Sequence, residues 1–560
     1  GTFNVNSAYT PTSSSFDNTA TGILNIKDGG VFTKPTTFTN TGTTTLTGTG
    51  SINGAYLGGV NAIVNINGTG SITGSLTLAA PSAVNFNNGA TGGGTIGGAL
   101  TGSTTTLTIG PVSVGSYTPQ GAVTGISNLV VTNGTFTNTL HPVTVATAIS
   151  TAAAGTITLN NILTGAATVN NAGNLNIDFI NALTATGALT NTGTLSITKA
   201  YTPTSSAFTT SGTININSGG IFTKPATFTN TGITKIDGTG TINGAYTGGA
   251  GSSLIIGPTT STTSYTTTGT IAGVETITVQ KGLFTVANAV SGAINFNISS
   301  GAKAVLNAVV TGTGAVTNAG TLTFNTAAAL ASFASLTNTG SLNIAANFTV
   351  PATLTNTGAV YVYSTSATIP TAIAITGTLS GGSVGSLHIG RDNTLSTNYL
   401  ATSFTTTQTI TNMPTIHLYA GNFTANNAIS GVTNFTIDPD NTTTSGTTPT
   451  SFNLNAQITG IGTSASPTLI NAGTMSIGVN NPFVDGDANK WVISNSGSLT
   501  LNNPLDLSNA NTNITSLTNT GTITVKQALT TQATNPNKLI NNGTVTVDTG
   551  GSVTGNINGS

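Results

Sequence analysis

The stretch LTNTGTLSI at residues 189–197 joins an Asn-x-Gly step to a short alternating pattern. Its first five letters recur at 336–340, 354–358 and 517–521, and near-copies occur along the rest of the chain. After the glycine, Thr or Ser alternates with an aliphatic residue, as at 194–197 and 522–525. Because a strand has a period of two, one set of side chains faces inward and the other outward. The pattern predicts short strands with an aliphatic inner side and a Thr-rich outer side.

The Asn of this motif returns at short intervals, which indicates a structural period. Neighbouring copies lie 20, 18, 24 or 22 residues apart, so we predict turns of about 18–24 residues. Asn and Gly tolerate left-handed backbone angles, and we therefore expect each copy to form a corner. Stacked corners would let the Asn amides hydrogen-bond in a ladder. The predicted corner residues are Asn40, Asn171, Asn191, Asn230, Asn318, Asn338, Asn356, Asn471, Asn495, Asn519 and Asn541.

A second phrase supports the same architecture. A glycine, one further residue, Phe and Thr follow strand patterns at five places, and the Phe rings are predicted to stack in the core of neighbouring turns. These residues are Phe32, Phe136, Phe222, Phe284 and Phe423.

A longer block that contains these phrases is also duplicated, because residues 29–59 and 219–249 are identical at 23 of 31 positions. Turns of this length without a helical pattern predict an all-β fold, a single elongated parallel β-helix (β-solenoid) over residues 1–560. Residues 478–491 are predicted to be a loop insertion. Tandem β-sandwich domains are the rival, but they would need repeats of about 100 residues.

Charge is scarce in this chain: 4% of residues are charged, and the formal net charge is -1. Nucleic acids and acidic membranes are bound by clustered Lys and Arg, so we expect neither partner. No apolar run is long enough for a transmembrane segment. The absence of cysteine excludes disulfides and thiol chemistry. Low net charge favours self-association, and copies of the chain are the expected partner.

Candidate sites for metals and catalysis are few. Asp485, Asp487 and Asn489 place oxygen ligands at alternate positions, which is typical of the start of a calcium loop, but Lys490 stands where the loop glycine belongs. The alternative is a solvated loop, so calcium is the only cofactor under consideration. Asp438 and Asp440 fit a turn better than an acid pair.

The histidines are His141, His388 and His417. The last two lie in strand patterns and are predicted to face outward; their separation along the chain does not place them clearly on adjacent turns. Nucleophile elbows, phosphate loops and metalloprotease helices are missing from the sequence, so we expect no enzyme activity. Regular rows of outward Thr side chains resemble ice-binding faces, so ice binding is a further hypothesis. The spacing between turns varies too much along this chain for the strict match to the ice lattice that such a face needs.

Turns such as NTGTLSI resemble those in the β-helical passengers of bacterial surface proteins, the filamentous-haemagglutinin and autotransporter adhesins. The resemblance rests on repeat texture and implies export and a place at the cell surface. We therefore expect an extracellular structural or adhesive protein, either a self-assembling subunit of a filament or surface layer, or an adhesin stalk. A host or cell-surface glycan or protein would be its ligand. The alternative is a glycan-binding or glycan-cleaving β-helix of the tailspike or lyase kind.

Overall fold

The computed structural model describes residues 1–87, 94–327, 330, 332–351, 353–363, 371–391, 402–406, 408–439, 441–443, 446–448, 450–460, 466–485, 490–508, 513–534 and 538–559, without the side chains of 371–372, 402, 441–443, 446–448 and 485. These residues contain no α-helix, and their strands stack in parallel as a β-solenoid of about 25 turns. The predicted fold class is confirmed. The chain divides into two compact units, Gly1–Glu275 and Thr276–Ser560.

The first unit consists of short strands and three long ones that continue around corners. In chain order they are Thr2–Val5, Ala8–Tyr9, Ser15–Asn18, Ile23–Ile26, Val31–Thr33, Thr37–Asn40, Thr43–Thr47, Ser51–Asn53, Tyr56–Gly58, Ile63–Asn67, Ser71–Ile72, Leu76–Leu78, Ser82–Phe86, Thr95–Ile96, Leu100–Ile109, Gly115–Tyr117, Val123–Asn138, Val143–Leu159, Leu163–Ala166, Thr168–Asn171, Asn174–Ile177, Leu183–Ala185, Ala188–Asn191, Thr194–Ile197, Ala200–Tyr201, Ala207–Thr210, Thr213–Ile216, Ile221–Thr223, Phe228–Asn230, Ile233–Ile236, Thr241–Asn243, Tyr246–Thr247, Ser253–Ile256, Ser264–Thr266 and Ile271–Ala272.

Strands of the first unit pair in parallel with strands about one turn earlier or later in the chain. Ile26 pairs with Leu46 and Leu46 with Ile66, and all three side chains are fully buried. Within each strand, the residues that alternate with the buried ones face outward. Among these outward residues, Asn85 Nδ2 donates to Asn65 Oδ1 of the preceding turn at 2.9 Å. The aliphatic alternation in the sequence thus becomes buried columns that run from turn to turn.

The second unit has the same organisation. Its strands are Thr276–Val279, Leu283–Val286, Val290–Ile298, Lys303–Leu306, Val310–Asn318, Thr321–Phe324, Ser335–Asn338, Ser341–Ile344, Phe348–Thr349, Thr353–Asn356, Ala359–Val362, Thr371–Thr376, Leu379–Ser380, Ser386–Ile389, Thr402–Thr406, Ile410–Thr411, Thr415–Leu418, Gly421–Ala425, Ile429–Val432, Asn434–Ile437, Asn441–Thr443, Gly446–Thr448, Thr450–Leu454, Ile458–Gly460, Thr468–Asn471, Thr474–Ile477, Phe483–Asp485, Trp491–Asn495, Ser498–Leu501, Leu505–Asp506, Ile514–Asn519, Thr522–Val525, Ala528–Thr530, Leu539–Asn541, Thr544–Val547 and Ser552–Thr554. In this list, Asn441–Thr443 and Gly446–Thr448 pair antiparallel as a small hairpin.

Turn length varies more in the second unit than the sequence predicts. Val360 pairs with Leu387, Leu387 with Ile416 and Phe435 with Leu469, and each of these steps along the chain is longer than the predicted turn. Other turns keep the predicted length, as where Leu469 pairs with Ile493. The extra residues lie in sequence between the paired strands, which themselves stay in register.

The predicted loop insertion at 478–491 contains a strand. Phe483–Asp485 pairs with Ile458–Gly460, and Trp491 starts the next strand and is fully buried. Residues 486–489 lie outside the described part of the chain. The described residues of this segment therefore include strand and are not loop throughout.

Candidate functional site

The structure places the predicted corner asparagines at the ends of strands, facing inward. Ten of them, from Asn40 to Asn519, are at most 2% exposed, and Asn541 is half-buried. Three hydrogen-bonded series connect them across turns: Asn171 to Asn191, Asn318 through Asn338 to Asn356, and Asn471 through Asn495 and Asn519 to Asn541, with Nδ2 to Oδ1 distances of 2.6–2.7 Å. Apart from the oxygen of the first asparagine in each series, the ladder satisfies amides that could not otherwise be buried.

The mechanical explanation offered for the motif was wrong. Neither the asparagines nor the glycines of the LTNTG copies have positive φ; in the described residues that conformation belongs to other positions, such as Asn61 and Gly282. The glycine is needed for close approach, because a Cβ on Gly193 would lie 2.1 Å from the carbonyl oxygen of Gly173, and one on Gly521 would lie 2.1 Å from that of Gly497. Consecutive corners are stacked too closely for any side chain.

In each duplicated block, the corner asparagine hydrogen-bonds a buried tyrosine. In the second block, Asn230 Nδ2 donates to the Tyr246 hydroxyl at 2.6 Å, and Thr234 Oγ1 lies 2.5 Å from the same oxygen. Burial raises the pKa of Tyr246 to about 12, against the smaller opposite effect of these two partners. The first block repeats the arrangement with Asn40, Thr44 and Tyr56. The duplicated sequence therefore encodes the same buried Asn–Thr–Tyr group twice.

The predicted core phenylalanines, Phe32, Phe136, Phe222, Phe284 and Phe423, are all fully buried. Phe423 stacks between its register partners, with ring centroids 5.1 Å from Phe404 and 5.0 Å from Phe452. These rings fill the interior beside the aliphatic columns.

Of the predicted calcium ligands, Asp487, Asn489 and the side chain of Asp485 lie outside the described residues. In the described part of the chain, groups of three or more His, Asp or Glu side chains placed to hold a metal ion are absent. That part also has no helix long and apolar enough to cross a membrane.

One surface of the second unit collects several residues that can carry out chemistry. Tyr361, His388 and His417 are consecutive register partners on strands Ala359–Val362, Ser386–Ile389 and Thr415–Leu418, and all three point outward. The two histidines therefore do lie on adjacent turns, because this turn is longer than the sequence period predicts. Their outward orientation agrees with the sequence prediction, whereas the doubt about adjacency was unfounded.

Corner residues complete this group. Tyr419 follows the His417 strand, Arg391 lies two residues after the His388 strand, and Asp438 follows the next strand, Asn434–Ile437. We call Tyr361, His388, Arg391, His417, Tyr419 and Asp438 the aromatic–histidine cluster. It contains two of the three histidines and the single arginine of the chain.

The rings of the aromatic–histidine cluster lie nearly parallel. Ring centroids are 4.7 Å apart for Tyr361 and His388, 5.8 Å for His388 and Tyr419, and 3.7 Å for His417 and Tyr419, with interplanar angles of 16°, 29° and 19°. The Arg391 guanidinium carbon lies 5.0 Å from the centroid of the Tyr419 ring, within cation–π range. Rings stacked in this way cover one another's faces, so the half-exposed side of the cluster consists of ring edges.

Hydrogen bonds fix the orientation of both imidazoles. Arg391 hydrogen-bonds the Tyr419 hydroxyl, which lies 3.3 Å from His388 Nδ1, and His388 Nε2 lies 2.9 Å from Ser386 Oγ. Since arginine only donates, we assign Tyr419 as donor to Nδ1 and the His388 proton to Nε2. His417 Nε2 lies 2.8 Å from Asp438 Oδ1, with both side chains about a quarter exposed.

Electrostatics keep His388 neutral at physiological pH. Burial is the main cause that lowers the pKa of His388, from 6.5 to about 4, and the nearby His417 and Arg391 act in the same direction. Burial likewise raises the pKa of Tyr419, and Arg391 opposes that rise. The Arg391 charge is permanent, so the cluster combines a fixed cation with a neutral imidazole and a phenol.

Sequence reasoning missed this cluster, although a signal was present. Arg391 is the only arginine, and it lies close in sequence to two histidines and several tyrosines in a chain that is otherwise sparing with such groups. His141 takes no part, since it lies in a bend after the strand Val123–Asn138 of the first unit.

Comparison with known protein families, with curated proteins and with solved structures found no match.

Proposed function

We propose that the protein is a non-enzymatic extracellular structural or adhesive surface protein of the kind its repeat texture resembles, bacterial surface adhesins. In this proposal it assembles with its own copies into a filament or surface layer, or acts as an adhesin stalk. The observation that carries the proposal is that closely packed side chains fill the interior of the solenoid. Aliphatic columns, stacked phenylalanines and asparagine ladders fill the turns of each unit, as in a load-bearing scaffold.

The outer surface supports association between copies. Outward columns are built from uncharged residues, such as Thr190, Thr209 and Thr229 on three successive turns, which are half-buried or exposed. With 4% charged residues there is little electrostatic repulsion between molecules.

Electron microscopy of purified protein over a range of concentrations tests this proposal. Ordered fibres or sheets that grow with concentration support the filament or layer. Dispersed single particles at the highest concentration, together with no binding to cells, would refute both forms.

Glycan binding is a second candidate, and the aromatic–histidine cluster favours it. The half-exposed edges of its rings lie next to guanidinium, imidazole and carboxylate groups that can bind the hydroxyls of a sugar. Incubation with polysaccharides followed by an assay for new reducing ends separates binding from cleavage. Release of reducing ends would overturn the non-enzymatic assignment.

A further inference from the structure

We propose that an apolar ridge on the first unit is the surface through which two copies of the chain associate side by side, in antiparallel orientation. The apolar ridge consists of Leu140, Ile162, Phe179 and Ile180. This inference rests on the self-assembling form of the proposed function and names the surface that makes the contact.

The residues of the apolar ridge lie on three successive turns, in equivalent connecting segments. These segments are 139–142, 160–162 and 178–182, and the strands on both sides of them pair in register from turn to turn. Asn138 Nδ2 also donates to the Asn161 carbonyl of the next turn at 2.9 Å. The three segments are therefore stacked about 4.8 Å apart along the solenoid.

The side chains of the apolar ridge are open to solvent. Their exposed fractions are 65% for Leu140, 38% for Ile162, 41% for Phe179 and 58% for Ile180. Together they form an apolar patch on the order of 300 Å², which is comparable with the largest patches on soluble monomers, and such patches often mark interaction sites.

Neighbouring turns carry no large apolar residue in the equivalent segment. The preceding segment reads TPQGA at 118–122, and the following segments read TK at 198–199 and NSGG at 217–220. The apolar ridge is therefore a local feature of three turns and does not follow from the repeat itself.

Hydrogen bonds fix the backbone that carries Phe179 and Ile180. Thr198 Oγ1 donates to Asp178 Oδ1 at 2.6 Å, and the Thr202 amide donates to Asn181 Oδ1 at 3.1 Å. A surface that is fixed before association loses little conformational entropy when a partner covers it.

The charges beside the apolar ridge favour a second copy in antiparallel orientation as the occupant. His141 adjoins Leu140 in the first segment, Asp178 adjoins Phe179 in the third, and both polar side chains are half-buried. A two-fold axis at Ile162 places the first segment of one copy opposite the third segment of the other. Each His141 then faces an Asp178 of the other copy, and the apolar residues meet between these pairs.

Other arrangements of two copies bring like charges together. A parallel pairing in register would place Asp178 against Asp178 and the exposed Lys199 against Lys199, which is unfavourable. In the antiparallel pairing, Lys199 lies opposite the uncharged segment 118–122 of the other copy.

Single cysteine variants of the full chain test the contact, because the natural chain has no cysteine. Ile162→Cys places a thiol at the two-fold axis, so mild oxidation should give a disulfide-linked dimer. Gln120→Cys, at an exposed position one turn before the apolar ridge, is the matched control and should stay monomeric, because its two thiols would lie about 19 Å apart. A missing Ile162→Cys dimer, or equal dimer from the control, would overturn the proposal.

Mixing two variants determines the orientation. Oxidation of Leu140→Cys together with Phe179→Cys should crosslink one variant to the other, because the antiparallel pairing places these positions opposite each other. Either variant alone should stay reduced, because its two thiols would lie two turns, or about 10 Å, apart. Crosslinking of each variant with itself and not with the other would refute the antiparallel pairing.

Sedimentation equilibrium below the concentration at which fibres form measures the association. We expect Leu140→Asp to raise the dissociation constant of the dimer by about tenfold or more, because it buries a carboxylate among apolar groups and close to Asp178 of the other copy. Val112→Asp replaces a residue that is 88% exposed and lies outside the apolar ridge, so this control should stay within about twofold. Unchanged association of Leu140→Asp, with an unchanged circular dichroism spectrum, would overturn the proposal.

Microscopy and vesicle binding separate this inference from the proposed function. Fibres that form equally well from Leu140→Asp would refute the contact and leave the structural role intact. Dimers that crosslink through Ile162→Cys but neither grow into fibres or layers nor bind cells would support the contact and refute the structural and adhesive role. Monomers that bind phosphatidylcholine vesicles, and lose that binding in Leu140→Asp, would assign the apolar ridge to a lipid surface and overturn the proposal.

Discussion

Replacing Asn495 by alanine tests the asparagine ladder at a position where one fluorophore reports the result. Asn495 Oδ1 accepts from Asn471 Nδ2 at 2.7 Å, and its Nδ2 donates to Asn519 Oδ1 at 2.6 Å. The only tryptophan of the chain, Trp491, is fully buried in the same strand, so its emission follows unfolding of these turns.

The expected loss of stability follows from the hydrogen-bonding groups that lose a partner when Asn495 is replaced. Without Asn495, the fully buried Asn519 Oδ1 loses its donor, which costs about 1–3 kcal/mol. Asn471 Nδ2 loses one of two acceptors but keeps the Ser498 carbonyl at 3.0 Å, a loss of about 1 kcal/mol. We therefore expect Asn495→Ala to lower the free energy of unfolding by about 2–4 kcal/mol.

Denaturant titration monitored by Trp491 fluorescence measures this loss. Asn541→Ala is the matched control at the half-buried end of the same ladder, where water can replace the lost partner, and it should cost about 1 kcal/mol or less. Asn495→Asp keeps the size and the acceptor but removes the donor, so it should be at least as harmful as alanine. If Asn495→Ala cost no more than the control, the ladder would not be the stabilising element.

Three other perturbations follow from the same structure. Gly521→Ala would place a Cβ 2.1 Å from the Gly497 carbonyl oxygen, and we expect thermal denaturation to show a loss of about 3 kcal/mol or more; a loss below about 1 kcal/mol would contradict the close stacking. Thr151→Asn should add a donor for the unpaired Asn171 Oδ1 one turn away but leave its own Oδ1 as the unpaired end of the ladder, so we expect the free energy of unfolding to change by less than about 1 kcal/mol; a change of about 2 kcal/mol or more in denaturant titrations would count against it. His388 has a pKa of about 4 in the folded chain and 6.5 ordinarily, so between these values the unfolded chain binds a proton that the folded chain does not. Stability should therefore fall as pH drops from 6.5 to 4, by about 3 kcal/mol at most, and His388→Gln should remove that part of the pH dependence; an unchanged slope in denaturant titrations would refute it.

Much of the architecture could be predicted because the sequence repeats its own local chemistry. Alternation at 194–197 gives inward Leu195 and Ile197, and the Asn that precedes them recurs at turn length. Because the same residue types are buried in each turn, one repeat in the sequence corresponds to one turn of the solenoid.

The reason for the glycine could not be read from the motif. Asn-x-Gly is typical of turns with positive φ, but here the spacing of stacked backbones excludes a Cβ instead. That distance depends on the neighbouring turn, which a local motif does not contain.

The cluster in the second unit was hidden by irregular turn length. The step from His388 to His417 is one turn, and so is the shorter step from Leu469 to Ile493, but only the structure shows that the two are equivalent. Extra residues between paired strands change the count without changing the strand pairing, so register cannot be obtained by counting residues.

Cysteine pairs test most directly the central claim that successive turns stack in parallel register, because the natural chain has no cysteine. Thr190 and Thr209 are outward register partners in the first unit, as are Thr337 and Thr355 in the second. Mild oxidation should crosslink each of these pairs as double cysteine variants, because adjacent parallel strands lie within disulfide range. The pair Thr190→Cys with Thr229→Cys, two turns apart, should remain reduced. Crosslinking of that distant pair, or failure of the adjacent pairs, would contradict the stacked spiral.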